Sequence, residues 1–231
     1  KRGGYFLSEQ IKFLWAYRAS ALKLRPPFTK GLSDLEGKKF VFFPLHTEPE
    51  TALQGMSPEF MFQLEAITAI ARDLPADTFL VVKEAFHALG RRPRDFYAQI
   101  SAFKNIVLLD THEYGLEVVK KANAIATITG TAGYEGAVLG KPVISFGQHN
   151  IYNFLDHVKV VGDLSDLRPQ LAECLGPSYD AEKAKADGSH FFRSLLSISI
   201  DLGSFDTLNS DTIDQNILNN VFQALVETLE A

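Results

Sequence analysis

Residues Ile128 to Gly147 read ITGTAGYEGAVLGKPVISFG. An apolar β-type run, Ala124 to Ile128, enters Thr129-Gly130-Thr131-Ala132-Gly133. A helix-compatible segment, Tyr134 to Leu139, follows and stops at Gly140. Lys141-Pro142 then leads into a second apolar run, Val143 to Phe146. The order strand, glycine turn, short helix, strand is the repeating unit of a parallel sheet. Small residues at such a turn admit two readings: close packing of a βα corner, or close approach of a ligand to the backbone. A helix start offers unpaired N–H groups and the positive end of a dipole, which suits a phosphate. The spacing is neither the GxGxxG of dinucleotide sites nor the GxxxxGK[ST] of a P-loop.

The same alternation extends upstream. Phe40 to Phe43, Thr78 to Val82 and Ile106 to Leu109 are short apolar strands. Helical patterns over Pro58 to Arg72, Arg94 to Phe103 and Glu113 to Ala122 separate them. The strands lack polar alternation, as expected when helices cover both sheet faces. This predicts an α/β fold, a doubly wound parallel sheet with flanking helices. Ligands in such sheets sit beyond the carboxyl ends of the strands. The candidate segments are therefore Leu45 to Glu50, Lys83 to His87, Asp110 to Glu113, Thr129 to Gly133 and Gly147 to Asn153. Leu7 to Leu24 reads as a helix with Leu7, Ile11, Leu14, Arg18 and Ala21 on one face. Downstream, Val158 to Val161 reads as a strand, Leu164 to Leu175 as a helix, and Asp180 to Ser197 as a helix interrupted at Gly188. A closing helix is predicted over Asp211 to Leu229.

Composition narrows the function classes. The chain has 231 residues, 46% hydrophobic and 22% charged, which is globular. A net charge of −5 argues against broad nucleic-acid binding. The single cysteine allows no internal disulfide and no cysteine metal cluster, and fits a reducing cytoplasm. No apolar run approaches the length of a membrane span. The start, Lys1-Arg2-Gly3-Gly4, has neither an initiator Met nor a signal-peptide pattern, so a piece of a longer protein is expected.

Taken together, four blocks resemble the capsule polysaccharide biosynthesis protein family, GT-B glycosyltransferases related to the Kdo transferases of bacterial surface polysaccharides. They are Phe42-Phe43-Pro44-Leu45-His46-Thr47-Glu48-Pro49-Glu50, Val82-Lys83-Glu84, Asn105 to Leu109, and Ala126 to Glu135 continuing through Gly140-Lys141-Pro142-Val143 to Gly147. The resemblance covers Phe40 to Asn153. It implies the Rossmann-like C-terminal lobe of a two-lobed enzyme, with residues 1–32 a leading helix and linker and residues 33–231 the nucleotide-sugar-binding domain with its C-terminal helices. It implies a sugar nucleotide as substrate, CMP-Kdo or a nucleoside-diphosphate sugar, and no cofactor. The implied acceptor is a polysaccharide or glycolipid. The implied location is cytoplasmic, with peripheral association at the inner membrane. One block departs from the family. Where members usually read Lys-Glu-His-Pro, this chain reads Lys83-Glu84-Ala85-Phe86, with His87 one place late.

The site expectations follow from chemistry and position. His46 and Glu48, past the first strand, are the candidate catalytic pair. Lys83 could neutralise a phosphate and Glu84 could orient it. Thr129, Gly130, Thr131 and Gly133 offer amides and hydroxyls to phosphates. Glu135, about one turn into the helix, could accept bonds from ribose hydroxyls. Gln148, with His149 and Asn150, forms a polar rim after the last clear strand. Arg91 and Arg92 read as a solvated turn. No metal ligand set is expected: His112, His157 and His190 have no partner pattern and no Asp-x-Asp occurs. Two other readings stay open, a catalytically inactive binding or assembly module and a sugar-nucleotide epimerase.

Overall fold

The computed structural model describes residues 3–48, 50–93, 95–200 and 214–230. Its centre is a six-stranded sheet in the order β3-β2-β1-β4-β5-β6, and every pairing is parallel. The strands are β1 (Lys39–Pro44), β2 (Thr78–Lys83), β3 (Ile106–Leu109), β4 (Ala124–Thr127), β5 (Val143–Ser145) and β6 (Val158–Val160). The helices are α1 (Gly3–Lys23), α2 (Thr51–Met56), α3 (Gln63–Asp73), α4 (Phe96–Ser101), α5 (Gly115–Lys121), α6 (Thr131–Val138), α7 (Leu167–Leu175), α8 (Ala181–Ile198) and α9 (Gln215–Glu230).

The apolar strands are buried on both faces, as the missing alternation predicts. Phe40, Val41, Phe42 and Phe43 of β1 are all at most 2% exposed. On one face, Val41 and Phe43 join Ile67 and Ile70 of α3, Ile100 of α4 and Leu171 of α7 in one core. On the other, α5 packs on β1 and α6 on β4 and β5. Sequence order reverses between β1 and β4, where β1 leads outward to β2 and β4 leads outward to β5. Two neighbouring strands whose connections depart in opposite directions leave a crevice at their carboxyl ends.

Several boundaries differ from the sequence expectation. The helix predicted from Pro58 divides into a 3₁₀ turn, Pro58–Phe60, and α3. The proline-rich segment after β1 carries the short helix α2. The signature helix begins at Thr131 rather than Tyr134, because Gly130 serves as its extended N-cap. Gly133 thus lies inside the helix, where a side chain would run into Thr127 Cγ2 at 2.5 Å and the Tyr152 ring. Of the face expected for α1 only Ala21 packs on the core, beside Tyr17 and the buried Leu24, while Leu7, Ile11 and Leu14 face solvent. Pro49, Arg94 and residues 211–213 of the predicted closing helix lie outside the described residues.

By its internal contacts the chain divides into residues 1–189 and residues 190–231. The first unit holds the whole sheet; the second holds the end of α8 and α9. Among the described residues, no helix is long and apolar enough to cross a membrane.

Helix α8 runs unbroken through Gly188. A Cβ there would meet the carbonyl oxygens of Ala137 and Val138, the latter at 2.5 Å, so this glycine is a packing requirement rather than a breaker. Gly188→Ala is expected to cost about 2 kcal/mol through backbone displacement. That lowers Tm by roughly 4–8 °C for a domain of this size. Gly55 lies in α2, and a Cβ added there would have nothing within 4 Å. Gly55→Ala is expected to be neutral or stabilising by up to about 1 kcal/mol. Thermal melts of the two variants separate these outcomes.

Candidate functional site

The crevice predicted by strand order is present as an open cleft of about 450 Å³. Its walls come from four strand ends: Pro44 to Thr47 after β1, Lys83 to Ala85 with His87 after β2, Tyr114 to Leu116 at the start of α5, and Thr129 to Ala132 with Glu135 after β4. Segments separated by up to ninety residues therefore meet on one rim. Among the expected site residues, His46, Lys83, Glu84, Thr129, Gly130, Thr131 and Glu135 line it. Glu48, Gly133 and Gln148 stand behind or beside it.

The cleft floor is closed by one bond. His46 is buried, and its Nε2 accepts the backbone N–H of Thr129 at 3.0 Å. Its Nδ1 faces Gln63 Oε1 at 3.2 Å. That Gln63 oxygen also accepts the His46 backbone N–H at 2.6 Å, while Gln63 Nε2 donates to the His46 carbonyl and to Glu48 Oε1. With both Gln63 amide atoms assigned, Nδ1 must carry the imidazole proton and Nε2 must be the bare acceptor. Burial lowers the His46 pKa to about 4, the nearby Arg92 charge adds to that, and the Gln63 bond opposes it. His46 is thus neutral at ordinary pH, with its lone pair already engaged.

The amide next in line is engaged too. Gly130 N–H donates to Thr127 Oγ1 at 3.0 Å. A side chain at Gly130 would sit 2.9 Å from that oxygen and 3.0 Å from His46 Nε2. The glycine is required because two side chains fill the space a Cβ needs. What remains open to a ligand is the first turn of α6. The amides of Thr131 and Ala132 lie at positions that helix geometry cannot pair internally, and Thr131 is exposed on the cleft. The Thr129 hydroxyl is buried there without a partner among the described residues.

Behind the His46 loop sits a buried ionic knot. Arg92, expected in a solvated turn, is 9% exposed and extends under the loop. Its Nε and Nη2 donate to the two Glu84 carboxylate oxygens at 2.7 and 3.0 Å. Nη2 also donates to the His46 carbonyl, and Nη1 lies 3.1 Å from Glu48 Oε2. Glu84 accepts the Tyr97 hydroxyl at 2.7 Å and the Ala85 N–H at 2.9 Å. Burial alone would lower the Arg92 pKa; the Glu84 bond and charge outweigh it and raise it. Burial, with the Glu84 charge, also pushes the Tyr97 phenol up, so it stays a donor. Glu84 therefore reaches the cleft wall with its oxygens turned toward Arg92, Tyr97 and the backbone. Glu48 is held by Gln63 and Arg92.

The groups left facing the opening are Lys83, His87, Glu50, Glu135 and the threonines. Burial lowers the Lys83 pKa, against the pull of Glu84, Asp110 and Glu113. Burial raises that of Glu135. His87 is exposed, with Nε2 3.0 Å from Thr47 Oγ1. Ala85 lines the wall, and Phe86 turns outward to pack edge-on against Tyr17 and His112. Gln148 is exposed and donates to the Val161 carbonyl at 2.9 Å, away from the cleft. Its neighbour Asn150 points inward and donates to Ile128 O and Ser145 Oγ, tying the ends of β4 and β5. Among the described residues no group of three or more His, Cys, Asp or Glu is arranged to hold a metal ion.

Sequence reasoning missed Arg92, Gln63, Tyr97 and Thr127. Nothing in Arg91-Arg92 distinguishes the exposed arginine from the buried one. The only hint for Gln63 is a polar residue near the start of an apolar helix, which reads equally well as a solvated position.

The capsule polysaccharide biosynthesis protein family matches residues 6–155. No curated protein matches the chain. Among solved structures, the KpsC beta Kdo 2,7 transferase of Thermosulfurimonas dismutans is 18% identical with a TM-score of 0.44, over 79% of this chain and 62% of that one. WaaG, a glycosyltransferase involved in lipopolysaccharide biosynthesis, is 15% identical with a TM-score of 0.49, over 70% and 45%. The UDP-GlcNAc 2-epimerase from Methanocaldococcus jannaschii is 14% identical with a TM-score of 0.49, over 78% and 49%. The chain spans between 45% and 62% of the length of these three proteins.

The His46 geometry has a pH consequence. The unfolded chain takes up this proton near pH 6.5, the folded chain only near 4. Between those values the unfolded state binds more protons, so stability falls as pH drops through the window. The loss is on the order of 3 kcal/mol. His46→Gln is expected to be less stable at pH 7 and to lack this part of the slope. The readout is the difference between wild-type and variant denaturation midpoints from pH 7 to pH 4. Removing Arg92 as Arg92→Met strands the buried Glu84 carboxylate and the half-buried Glu48 and is expected to cost about 3–5 kcal/mol in the same assay.

Proposed function

We propose, from the premise that this chain belongs to the capsule polysaccharide biosynthesis protein family, that it forms the donor-binding lobe of a glycosyltransferase building surface polysaccharide. The donor is a sugar nucleotide, with a CMP-linked sugar such as CMP-Kdo the first candidate. The acceptor is a polysaccharide or glycolipid hydroxyl. The reaction takes place on the cytoplasmic side, with no cofactor.

One observation carries this reading. Two anion-seeking features and one hydroxyl acceptor converge on a single cleft at the switch point of the sheet: the open first turn of α6, Lys83, and Glu135. In the proposed reaction the bond between the anomeric carbon and the phosphate oxygen breaks while the acceptor oxygen bonds to that carbon. Negative charge grows on the leaving phosphate. The Thr131 and Ala132 amides, the α6 dipole and the Lys83 ammonium are aimed at it before the reaction begins, so they need not reorganise. A phosphate beside Lys83 also favours the charged ammonium that burial disfavours. Glu135, about one turn further along α6, accepts ribose hydroxyls.

His46 and Glu48 take positioning roles in this scheme. His46 has neither a free lone pair nor a pKa suited to proton transfer near neutrality, and Glu48 is bonded to Gln63 and Arg92. The acceptor proton then passes to a base on the acceptor-holding lobe of a two-lobed enzyme.

The replacement of His-Pro by Ala85-Phe86 favours a second reading, a nucleotide-binding lobe without transferase activity. Transfer of the sugar to an acceptor separates the two, and nucleotide binding tests what they share. Isothermal titration with CMP and with UDP is expected to show saturable heat with CMP. Lys83→Ala and Glu135→Ala are each expected to weaken it roughly tenfold, the weight of a charged hydrogen bond. Heat with UDP alone reassigns the donor to a nucleoside-diphosphate sugar. No heat with either nucleotide removes the donor-lobe proposal. The double replacement Ala85→His with Phe86→Pro is expected to gain little in an active lobe that uses His87, and His87→Ala to lose affinity.

A further inference from the structure

At the end of the sheet opposite the cleft, a second cavity of about 270 Å³ opens between the start of β6, the end of α7 and the first turns of α8. All of its lining residues lie in the first unit. His157, Cys174 and Ala184 make its deep side, each at most 5% exposed. Two backbone groups hold His157 there: its carbonyl accepts the Val143 N–H at 3.0 Å, and its Nε2 meets the Ala137 carbonyl at 2.9 Å. A carbonyl only accepts, so Nε2 carries a proton, and in the neutral ring Nδ1 is a bare acceptor. That nitrogen is buried without a partner among the described residues. Most buried polar atoms are hydrogen-bonded, so an acceptor left over in a cavity wall calls for a donor from outside the chain.

The rim of this cavity is acidic. Asp156, Glu173, Asp180 and Asp187 line it against two cations, Lys159 and Lys183. Both ammonium groups are already engaged. Lys159 pairs with Glu173 at 2.7 Å, and Lys183 pairs with Asp156 and, at 3.5 Å, with Asp187. Asp180 caps α8 by accepting the Lys183 N–H at 3.0 Å, so the positive end of that helix is met from within the chain. Glu173 and Cys174 stand in the last turn of α7, where the helix dipole favours a cation. An anion would therefore meet an excess of like charge. An apolar guest would leave the His157 nitrogen unmet. A metal ion lacks a ligand set, since among the described residues no group of three or more His, Cys, Asp or Glu is arranged to hold one.

We infer that this cavity binds a small organic ammonium ion, one N–H of which is donated to His157 Nδ1 while the rim carboxylates share its charge. The ligand has to bring both a donor and a positive charge, and an ammonium group supplies the two on one atom. Two sources carry this chemistry, an aliphatic diamine and an amino sugar. The site lies at the far end of the helix that serves the cleft: Ala137, which His157 grips, is in the last turn of α6, and Thr131 on the cleft is in its first. The inference is independent of what the cleft binds.

The full chain is titrated by calorimetry with 1,4-diaminobutane and with glucosamine. The controls are 1,4-butanediol and glucose, which keep the size and lose the charge. No nucleotide is present, so the outcome is separate from that of the donor reading. Saturable heat is expected with at least one of the two ammonium ligands and with neither control, and the tighter of the two names the source. Added salt should weaken the binding. The double variant Glu173→Gln with Asp187→Asn, on the rim, is expected to melt like wild type and to lose roughly tenfold in affinity. Nitrogen NMR of the imidazoles reads the site itself: the Nδ1 signal that His157→Gln removes is expected to move with whichever of the two ligands binds. Heat with neither ammonium ligand overturns the inference. So does heat with 1,4-butanediol equal to that with 1,4-diaminobutane, which assigns the cavity to neutral guests. Binding that leaves the His157 signal in place, or that survives the rim variant, overturns it as well and reduces the effect to a general attraction to an acidic surface.

Discussion

The bond from the Thr129 amide to His46 Nε2 joins the two strands at which the sheet reverses its order. Strands β1 and β4 are neighbours, but the segments leaving them run to opposite sides. Without a tie between those segments the crevice would have no fixed floor. The tie depends on an imidazole that keeps its proton on Nδ1, and Gln63 dictates that by presenting an oxygen to it. Burial does the rest, because an imidazolium there would lack solvent and would stand beside Arg92. A titratable side chain has in effect been made into a fixed hydrogen-bond acceptor.

The knot behind it explains how a loop with no regular backbone pairing is held to that accuracy. Glu84 and Arg92 are both nearly inaccessible to solvent, an arrangement costly in desolvation, and Arg92 Nη1 has a charge contact with Glu48 but no hydrogen bond among the described residues. Glu84 receives two bonds from Arg92, one from Tyr97 and one from Ala85 N–H. Arg92 reaches past it to the carbonyl of His46 and the carboxylate of Glu48. The charges therefore act on the loop after β1 rather than on the opening of the cleft. Among the described residues, Lys83, just one residue before Glu84, is a cation beside the strand ends that no buried acid pairs with. Adjacent side chains of a strand end point in opposite directions, and here one faces the cleft and the other the knot.

How far the sequence discloses this depends on the range of the interaction. The fold rests on local patterns: short apolar runs, helical periods and glycine stops, so the parallel α/β sheet was legible from residues 40 to 146. The meeting of loops on one rim was legible as well, because the ligand side of a parallel sheet follows from strand direction alone. What escaped is long-range and polar. Gln63 pairs with His46 across seventeen residues and Arg92 with His46 across forty-six, and no periodicity records either. The glycines show the same limit. Gly130 and Gly133 announced themselves as a turn, but their structural cause is the bulk of His46, Thr127 and Tyr152 in the space where side chains would stand. Gly188 signalled a break and instead marks a close helix crossing on α6.

The departure at Ala85-Phe86 gains a physical account from the same contacts. A proline at 86 would have no aromatic ring to place between Tyr17 and His112, and α1 would lose its edge-on partner at the rim. Phe86 supplies that ring by turning outward, which draws the chain through a 3₁₀ turn, Phe86–Ala88. The turn carries His87 round to the cleft side, where its ring meets Thr47. His87 thus stands at the opening, while its neighbour Phe86 meets Tyr17 of α1. The short loop after β2 therefore serves the cleft and the leading helix at once, giving one ring to each.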